Sequence, residues 1–184
     1  MSLHKNTILK EAILSLAQKE KDKLLVRLIN KDKMLLKQLH FQLLEDEFDL
    51  EDRIEKLKRN LETLMSVVEK SVKNTPVYSN YSQLNALLRQ ASGMINEHEK
   101  VTKDKISEIE CRLYLLKASF ERFPKLFEAS AVSSGIKLRK YAIGRIKNVT
   151  GKFDKLHEDI QFDLYAEMKF IQEFAAKHHL LHQP

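Results

Sequence analysis

The strongest constraint on the fold is an apolar repeat that steps by four and three residues through the middle of the chain. Its members are Leu50, Ile54, Leu57, Leu61, Leu64 and Val68. A 4-3 step keeps side chains on one face of an α-helix, where they form the a/d seam of a coiled coil. The sequence therefore predicts a long helix over about 47–73.

A second long apolar stripe follows a connector at residues 74–82, where Pro76 and several Asn and Ser residues favour a helix stop and a turn. Ser82 or Asn80 is the expected cap of the next helix, which runs over about 82–123. This stripe contains an extra four-residue step, so we expect it to unwind, kink or break near residues 97–102.

Two long helices joined by so short a connector are expected to fold back antiparallel. Short helices are predicted within residues 1–45, with Thr7 as the first cap, and two further helices within residues 129–184. With only four Gly and three Pro, the composition agrees with a helix-rich chain. The expected fold is all-α: an elongated helical bundle built on a long antiparallel, coiled-coil-like hairpin (47–123), in a single domain over 1–184. The seam of such a hairpin is also able to pair two chains.

Residues 129–153 form a basic segment that has no acidic residue. Its formal charge of +6 equals the net charge of the whole chain. A helix is predicted from about 136, ending near Gly151. One half of its wheel is apolar, and the other half or its flanks carry the candidate anion and nucleic-acid contacts: Lys137, Lys140, Tyr141, Arg145, Lys147 and Lys152.

Several partners suit this basic helix. Nucleic-acid phosphates would be bound by its Lys and Arg side chains, with Tyr141 available for stacking and Gly144 allowing a backbone to approach closely. An anionic membrane is a further alternative, although the apolar half lacks Trp and Phe anchors. A protein partner is another. The simplest alternative is intramolecular, because the last helix (152–179) is acidic and would neutralise the basic one.

The last helix places Glu167, together with His157 and His178, on or beside its apolar stripe. A carboxylate on a core face must be paired or protonated, because an isolated buried charge is very costly. Arg139 falls toward the apolar side of its own helix. We therefore expect Arg139 and Glu167 to pair.

Motifs for catalysis or metal binding are incomplete. His157-Glu158 begins like the HExxH zinc helix, but Gln161 stands where the second His is required. His178 and His182 have ligand spacing and favour only adventitious metal binding. Cys111 is expected to be a structural thiol, and the chain has no P-loop, GxGxxG or Ser-elbow motif. No catalytic residue, cofactor or metal site is predicted. An enzyme centred on Glu167 would need a pocket joining it to His157 or His98.

A single cysteine excludes an intrachain disulfide, and no secretory signal or apolar run of membrane-spanning length is present, so a cytoplasmic location is expected. The first expectation for function is a non-enzymatic helical interaction or scaffold protein that binds a protein partner or self-associates. The alternative is nucleic-acid binding through the basic helix. No small-molecule substrate is inferred.

Overall fold

A computed structural model describes residues 3–181 of the chain. These residues form helices and connectors with no strand, which confirms the all-α class. They divide into two compact units, 1–46 and 47–184. The helices of the first unit are α1 (Thr7–Leu14), α2 (Gln18–Lys31) and α3 (Lys33–Leu44). Those of the second are α4 (Glu47–Ser71), α5 (Tyr78–Thr102), α6 (Lys105–Arg122), α7 (Ser133–Phe153), α8 (Glu158–Asp163) and α9 (Tyr165–Lys177).

The first unit consists of capped, amphipathic helices. Asn6, rather than Thr7, caps α1 by accepting a hydrogen bond from the Leu9 amide at 3.0 Å. Asp32 caps α3 by accepting from the amides of Met34 and Leu35. No side chain of α1, α2 or α3 is buried. The large aliphatic side chains that remain mostly exposed include Ile8, Leu14, Leu25, Val26, Leu28, Leu43 and Leu44.

The second unit begins with three helices that fold back on each other twice. Lys58 pairs with Glu110 at 2.8 Å, and Glu69 lies 3.3 Å from Arg122. Because the two contacts follow the same order along both helices, α4 and α6 run parallel, and α5 returns between them. The apolar seam of α4 is used within the unit, since Leu57 and Leu61 are buried in its core.

The expected irregularity in the second apolar stripe is a complete break. It lies at Lys103, just beyond the predicted 97–102. Lys103 has a φ of 59°, the left-handed conformation that ends many helices, and Asp104 caps α6 by accepting from the amides of Ile106 and Ser107. The second arm of the expected hairpin is therefore two helices, α5 and α6, that reverse direction between them.

Helix α6 is the central helix of this unit, packing against α4, α5, α7 and α9. Side chains on nearly all its sides are buried, including Ile109, Leu113, Leu116 and Phe120. Phe120 stacks on Phe174 of α9 at a centroid distance of 4.3 Å and meets Phe127 edge-on at 4.8 Å. As predicted, the helix ends just before Pro124, and a short 3-10 turn, Pro124–Phe127, follows.

Other predicted helix ends shift for local reasons. Helix α5 starts at Tyr78, before both predicted caps, and Asn80 instead ties down the connector by donating to the Thr75 carbonyl at 2.9 Å. Helix α7 continues through Gly151 to Phe153. The last helix, predicted over 152–179, is divided: α7 ends at Phe153, and α8 and α9 follow as separate helices. Gln161 of α8 donates to the carbonyl oxygen of Leu156, in the connector after α7, and α9 begins only at Tyr165. Among the described helices, none has the length and apolar content that crossing a membrane requires.

Candidate nucleic-acid interface

Helix α7 is half embedded in the second unit. Its apolar side chains Leu138, Ala142, Ile146 and Val149 are buried against α5 and α6, as the wheel predicts, whereas Ile136, which the wheel places on the same half, is 51% exposed. Ser134 donates to the Tyr78 carbonyl at one end of α7, whereas Tyr141 reaches Leu88 further along. Helices α5 and α7 therefore run parallel, and one side of α7 faces solvent.

The solvent-facing side carries three of the six predicted contacts. Lys137, Lys140 and Lys147 are exposed, together with Gly144, Asn148 and Gly151. At 100° per residue these six positions fall within about 100° of the helix wheel. We call this set of residues the lysine face. It extends about 15 Å along the axis from Lys137 to Lys147, at 1.5 Å per residue.

The lysines of this face have no intramolecular counter-ion within the part of the chain that the structure describes. The acidic residues expected to neutralise them are directed elsewhere: Glu167 pairs with Lys117 of α6 at 3.4 Å, and Glu173 lies 3.9 Å from Lys169 of its own helix. Helix α9 packs on α6. Intramolecular neutralisation of the lysine face by the last helix is therefore not observed.

Tyr141 and Arg145 lie beside the lysine face and are half-buried. The Tyr141 hydroxyl lies 2.9 Å from Ser92 Oγ and 3.3 Å from the Leu88 carbonyl oxygen. The guanidinium carbons of Arg89 and Arg145 lie 4.7 and 5.2 Å from the centre of its ring, a cation–π arrangement. Tyr141 thus anchors α7 to α5, and Arg89 adds a cation that the sequence analysis did not identify.

Lys152 is half-buried and is not part of the lysine face. Its ammonium group binds both carboxylate oxygens of Glu108, with a distance of 2.6 Å to Oε2. Glu108 is only 1% exposed, and Arg112 also donates to it, at 2.7 and 2.8 Å, and to Asn96 at 2.6 Å. A buried carboxylate requires such partners. Lys152 therefore has a structural role in an internal ion pair, and it is not among the phosphate contacts proposed below.

Arg139 and Glu167 do not form the predicted pair. Arg139 donates instead to backbone carbonyl oxygens, those of Phe127 and His178, and joins the turn before α7 to the end of α9. Its pKa is lowered, mainly by burial. Glu167 is half-exposed, so its carboxylate keeps contact with water as well as with Lys117.

A groove of about 630 Å³ on another side of the unit contains Cys111, Tyr114, Lys58 and Glu167 among its lining residues. Burial raises the pKa of the Cys111 thiol to about 11, so the thiolate that a nucleophile requires is absent at neutral pH. The pKa of Lys58 is also raised, chiefly by its hydrogen bond to Glu110, which keeps the amine protonated. Neither group is activated for nucleophilic chemistry.

The histidines that the sequence analysis considered are dispersed. His98 is buried and lies 2.9 Å from Ser107, and burial lowers its pKa. His157 is exposed and caps α8, His178 stacks on Phe174, and His182 lies outside the described residues. Neither His98 nor His157 borders the groove beside Glu167. Residues 3–181 contain no group of three potential ligands that could hold a metal ion.

The buried charge cluster around Glu108 and the cation at Arg89 were missed from the sequence. Glu108 and Arg112 have the i, i+4 spacing of a helix ion pair, but that spacing is equally common on exposed faces. The informative signal is that Cys111, Leu115 and Ala118 lie opposite the main seam of α6. Two apolar faces on one helix indicate a central helix whose intervening charges are buried.

Comparison with known proteins adds no constraint: no protein-family model, no curated protein and no solved structure matches this chain.

Proposed function

We propose that this protein is a non-enzymatic helical protein that binds nucleic acid through phosphate contacts made by the lysine face of α7 and by Arg89 and Arg145. The observation that supports it best is the exposure of Lys137, Lys140 and Lys147 without an acidic partner among the described residues. With the two arginines, these side chains give five positive charges on one surface. Each Lys or Arg that neutralises a phosphate releases counterions, which favours binding.

The surrounding chemistry favours phosphate over the other candidate partners. Most of the apolar half of α7 is buried and only Ile136 is exposed, so the helix has no continuous apolar face to insert into a membrane interface. Protein-binding hot spots are centred on clusters of exposed aromatic and aliphatic anchors, and Ile136 is a single such side chain beside the lysine face. The proposed location is the cytoplasm, where nucleic acid is accessible and the thiol of Cys111 stays reduced.

The test is fluorescence anisotropy of a labelled oligonucleotide at low and physiological salt, with the variant Lys140→Glu/Lys147→Glu. Its matched control is Lys56→Glu/Lys70→Glu, which makes the same change in net charge at two exposed lysines of α4. We expect salt-sensitive binding that the α7 variant loses and the α4 variant largely retains. Equal loss in both variants would mean that only the net charge of the protein attracts the oligonucleotide. No binding by the wild-type protein at low salt would refute the proposal.

The second candidate function is self-association, as expected of an interaction or scaffold protein. It is favoured by the first unit, where α1, α2 and α3 bury no side chain and expose many aliphatic ones. Helices of 8 to 14 residues are marginal in water without packing of an apolar face.

Concentration-dependent mass by light scattering tests the second candidate. Leu25→Glu/Leu28→Glu places charges at two exposed positions of α2, where the isolated chain tolerates them. Dimers in the wild-type protein that disappear in this variant, and that persist at high salt, would support self-association. A monomer at all concentrations would exclude it.

A further inference from the structure

We propose that the nucleic acid bound by α7 is double-stranded, and that it is held by its sugar-phosphate backbone, without base stacking, against the side of the helix that carries Gly144. This inference rests on the proposed function and specifies its ligand. It follows from three observations. Two guanidinium groups already lie against the ring of Tyr141, the lysines project separately from one helix, and a Cβ atom added at Gly144 would meet open space.

Tyr141 is the aromatic residue of α7 that is not buried, since Phe153 lies in the core, but its ring is not available as a stacking platform. Its hydroxyl is held by Ser92 and by the Leu88 carbonyl, and the guanidinium groups of Arg89 and Arg145 lie against its ring. A base could stack there only by displacing a cation. Proteins that bind single strands obtain much of their affinity from such stacking.

Two exposed aromatic residues lie toward the ends of α7. Tyr78 is 65% exposed, and its carbonyl oxygen accepts a hydrogen bond from Ser134 at the N-terminal end. Phe162 is 83% exposed and follows Gln161, which donates to the Phe153 carbonyl oxygen at the C-terminal end. Neither belongs to the lysine face, so they do not form the row of platforms along the helix that a single strand needs. Tyr78 is the one whose backbone contacts α7 directly. Its replacement by alanine is therefore a direct test of whether any stacking takes place.

The three lysines of this face project separately from the outer side of one helix. The cavity bordered by Tyr141 and Arg145 measures about 10 Å³, the size of one water molecule, so it is too small to hold a base. Single-strand binding proteins follow the backbone along a positively charged groove. A ridge of separated lysines instead matches the phosphates that a duplex presents on its outside. The 15 Å from Lys137 to Lys147 corresponds to about four base pairs of one strand.

Gly144 lies between Lys140 and Lys147 on the exposed side, and a Cβ atom added there would meet no other atom within 4 Å. Intramolecular packing therefore does not require a glycine at this position, and its helix propensity is poor. The missing side chain leaves the helix backbone accessible, so a phosphate strand can lie directly on the helix. The flanking lysines would then reach phosphates on either side.

Two comparisons test the inference by anisotropy. The first measures a labelled duplex and its single strand of the same length at the same salt concentration. The second measures the duplex with Gly144→Leu and with Gly144→Ala, both at an exposed helix position where an added Cβ atom meets open space. We expect the duplex to bind at least about tenfold more tightly than the single strand. We also expect Gly144→Leu to weaken duplex binding about tenfold, and Gly144→Ala and Tyr78→Ala to change it little.

The outcomes separate the two proposals. Single strands that bind as tightly as the duplex, or that lose affinity on Tyr78→Ala, would overturn the duplex inference and leave phosphate binding intact. Wild-type affinity in Gly144→Leu, combined with loss of binding in Lys140→Glu/Lys147→Glu, would overturn the close approach of the strand to the helix. Failure of the wild-type protein to bind either form would remove the proposed function itself. Circular dichroism confirms that each variant is folded.

Discussion

Lys152 of α7 and Glu108 of α6 form an ion pair in which the lysine ammonium binds both oxygens of a carboxylate that is 1% exposed. This pair fixes the C-terminal end of α7 on the central helix, and the lysine face of α7 lies beside it and projects into solvent. The most basic helix of the chain thus divides its charges between an internal role and an external one.

The internal role predicts a large loss of stability for Glu108→Gln. The amide cannot neutralise the two cations, Lys152 and Arg112, that converge on it. Removing one partner of a buried pair typically costs about 3–5 kcal/mol, and we expect a value near 3 because the Lys152 side chain is 35% exposed. Urea unfolding measures the difference, and Lys140→Ala is the control, with an expected change within about 0.5 kcal/mol. A variant as stable as the wild type would contradict the structural role of Lys152.

The phosphate contacts proposed for the lysine face predict how duplex affinity depends on salt concentration. The logarithm of the duplex association constant should fall linearly with the logarithm of the salt concentration. Each lost phosphate contact should lower the slope by about one. Lys137→Ala, Lys140→Ala and Lys147→Ala should each show this change at unchanged stability. The same slope in wild type and variants would place the bound phosphates elsewhere.

The hydrogen bond between Tyr141 and Ser92 is expected to contribute to the stability of the fold but not to duplex affinity. Ser92→Ala and Tyr141→Phe each remove one side of a partly buried hydrogen bond, which is worth about 1 kcal/mol of unfolding free energy. Because the ring stays in place and does not stack on bases, duplex affinity should remain unchanged. Thermal unfolding and anisotropy on the same samples check both statements. A loss of affinity in Tyr141→Phe without loss of stability would show that the hydroxyl contacts the ligand.

The buried thiol of Cys111 predicts a loss of stability at alkaline pH. Its pKa is about 11 in the folded chain, against an ordinary value of 9.0. The folded state therefore keeps the proton longer than the unfolded state. The stability that the protonated Cys111 thiol gives to the folded state is complete below pH 9 and is lost as the pH rises toward 11. A shift of this size amounts to about 2–3 kcal/mol. Cys111→Ala should unfold with a weaker pH dependence than the wild type over this interval, and identical pH profiles would contradict the burial of the thiol.

Replacement by alanine is expected to lower the stability of the protein at Gly135 and to raise it at Gly93. A Cβ atom at Gly135 would lie 2.7 Å from Ser130 Oγ and 3.0 Å from the buried ring of Tyr81, whereas one at Gly93 would meet nothing within 4 Å. Gly135→Ala should destabilise the protein by about 1–3 kcal/mol through overpacking. Gly93→Ala should stabilise it by up to about 1 kcal/mol, because alanine is the better helix former. Chemical unfolding of the two variants tests the packing of α5 against α7.

Local patterns in the sequence were sufficient for the helical class and for the buried side of α7, because both depend on the spacing of apolar residues along a single helix. They also located the irregularity near residue 100, but the stutter cannot distinguish a kink from a reversal. That distinction depends on Lys103 adopting a left-handed conformation and on Asp104 capping the next helix. The first cap moves by one residue, from Thr7 to Asn6, for a similarly local reason.

The partners of charged side chains were much less predictable. Lys137, Lys140 and Lys152 look alike in the sequence, yet the first two are exposed and the third binds a buried carboxylate from a helix 44 residues away. Arg139 and Glu167 were expected to pair because each has a charge on an apolar side, but carbonyl oxygens and Lys117 satisfy them. These choices depend on which helices pack together, and helix periodicity alone does not determine that.

The central claim, that the exposed side of α7 binds nucleic-acid backbone, is tested most directly by chemical-shift mapping. Amide spectra of the isotope-labelled protein would be recorded while an unlabelled duplex is added at physiological salt. We expect the shifts to concentrate at residues 137–151 and around Arg89, and to disappear in Lys140→Glu/Lys147→Glu. Shifts confined to α1, α2 and α3, or no shifts at a duplex concentration that exceeds the protein's, would contradict it.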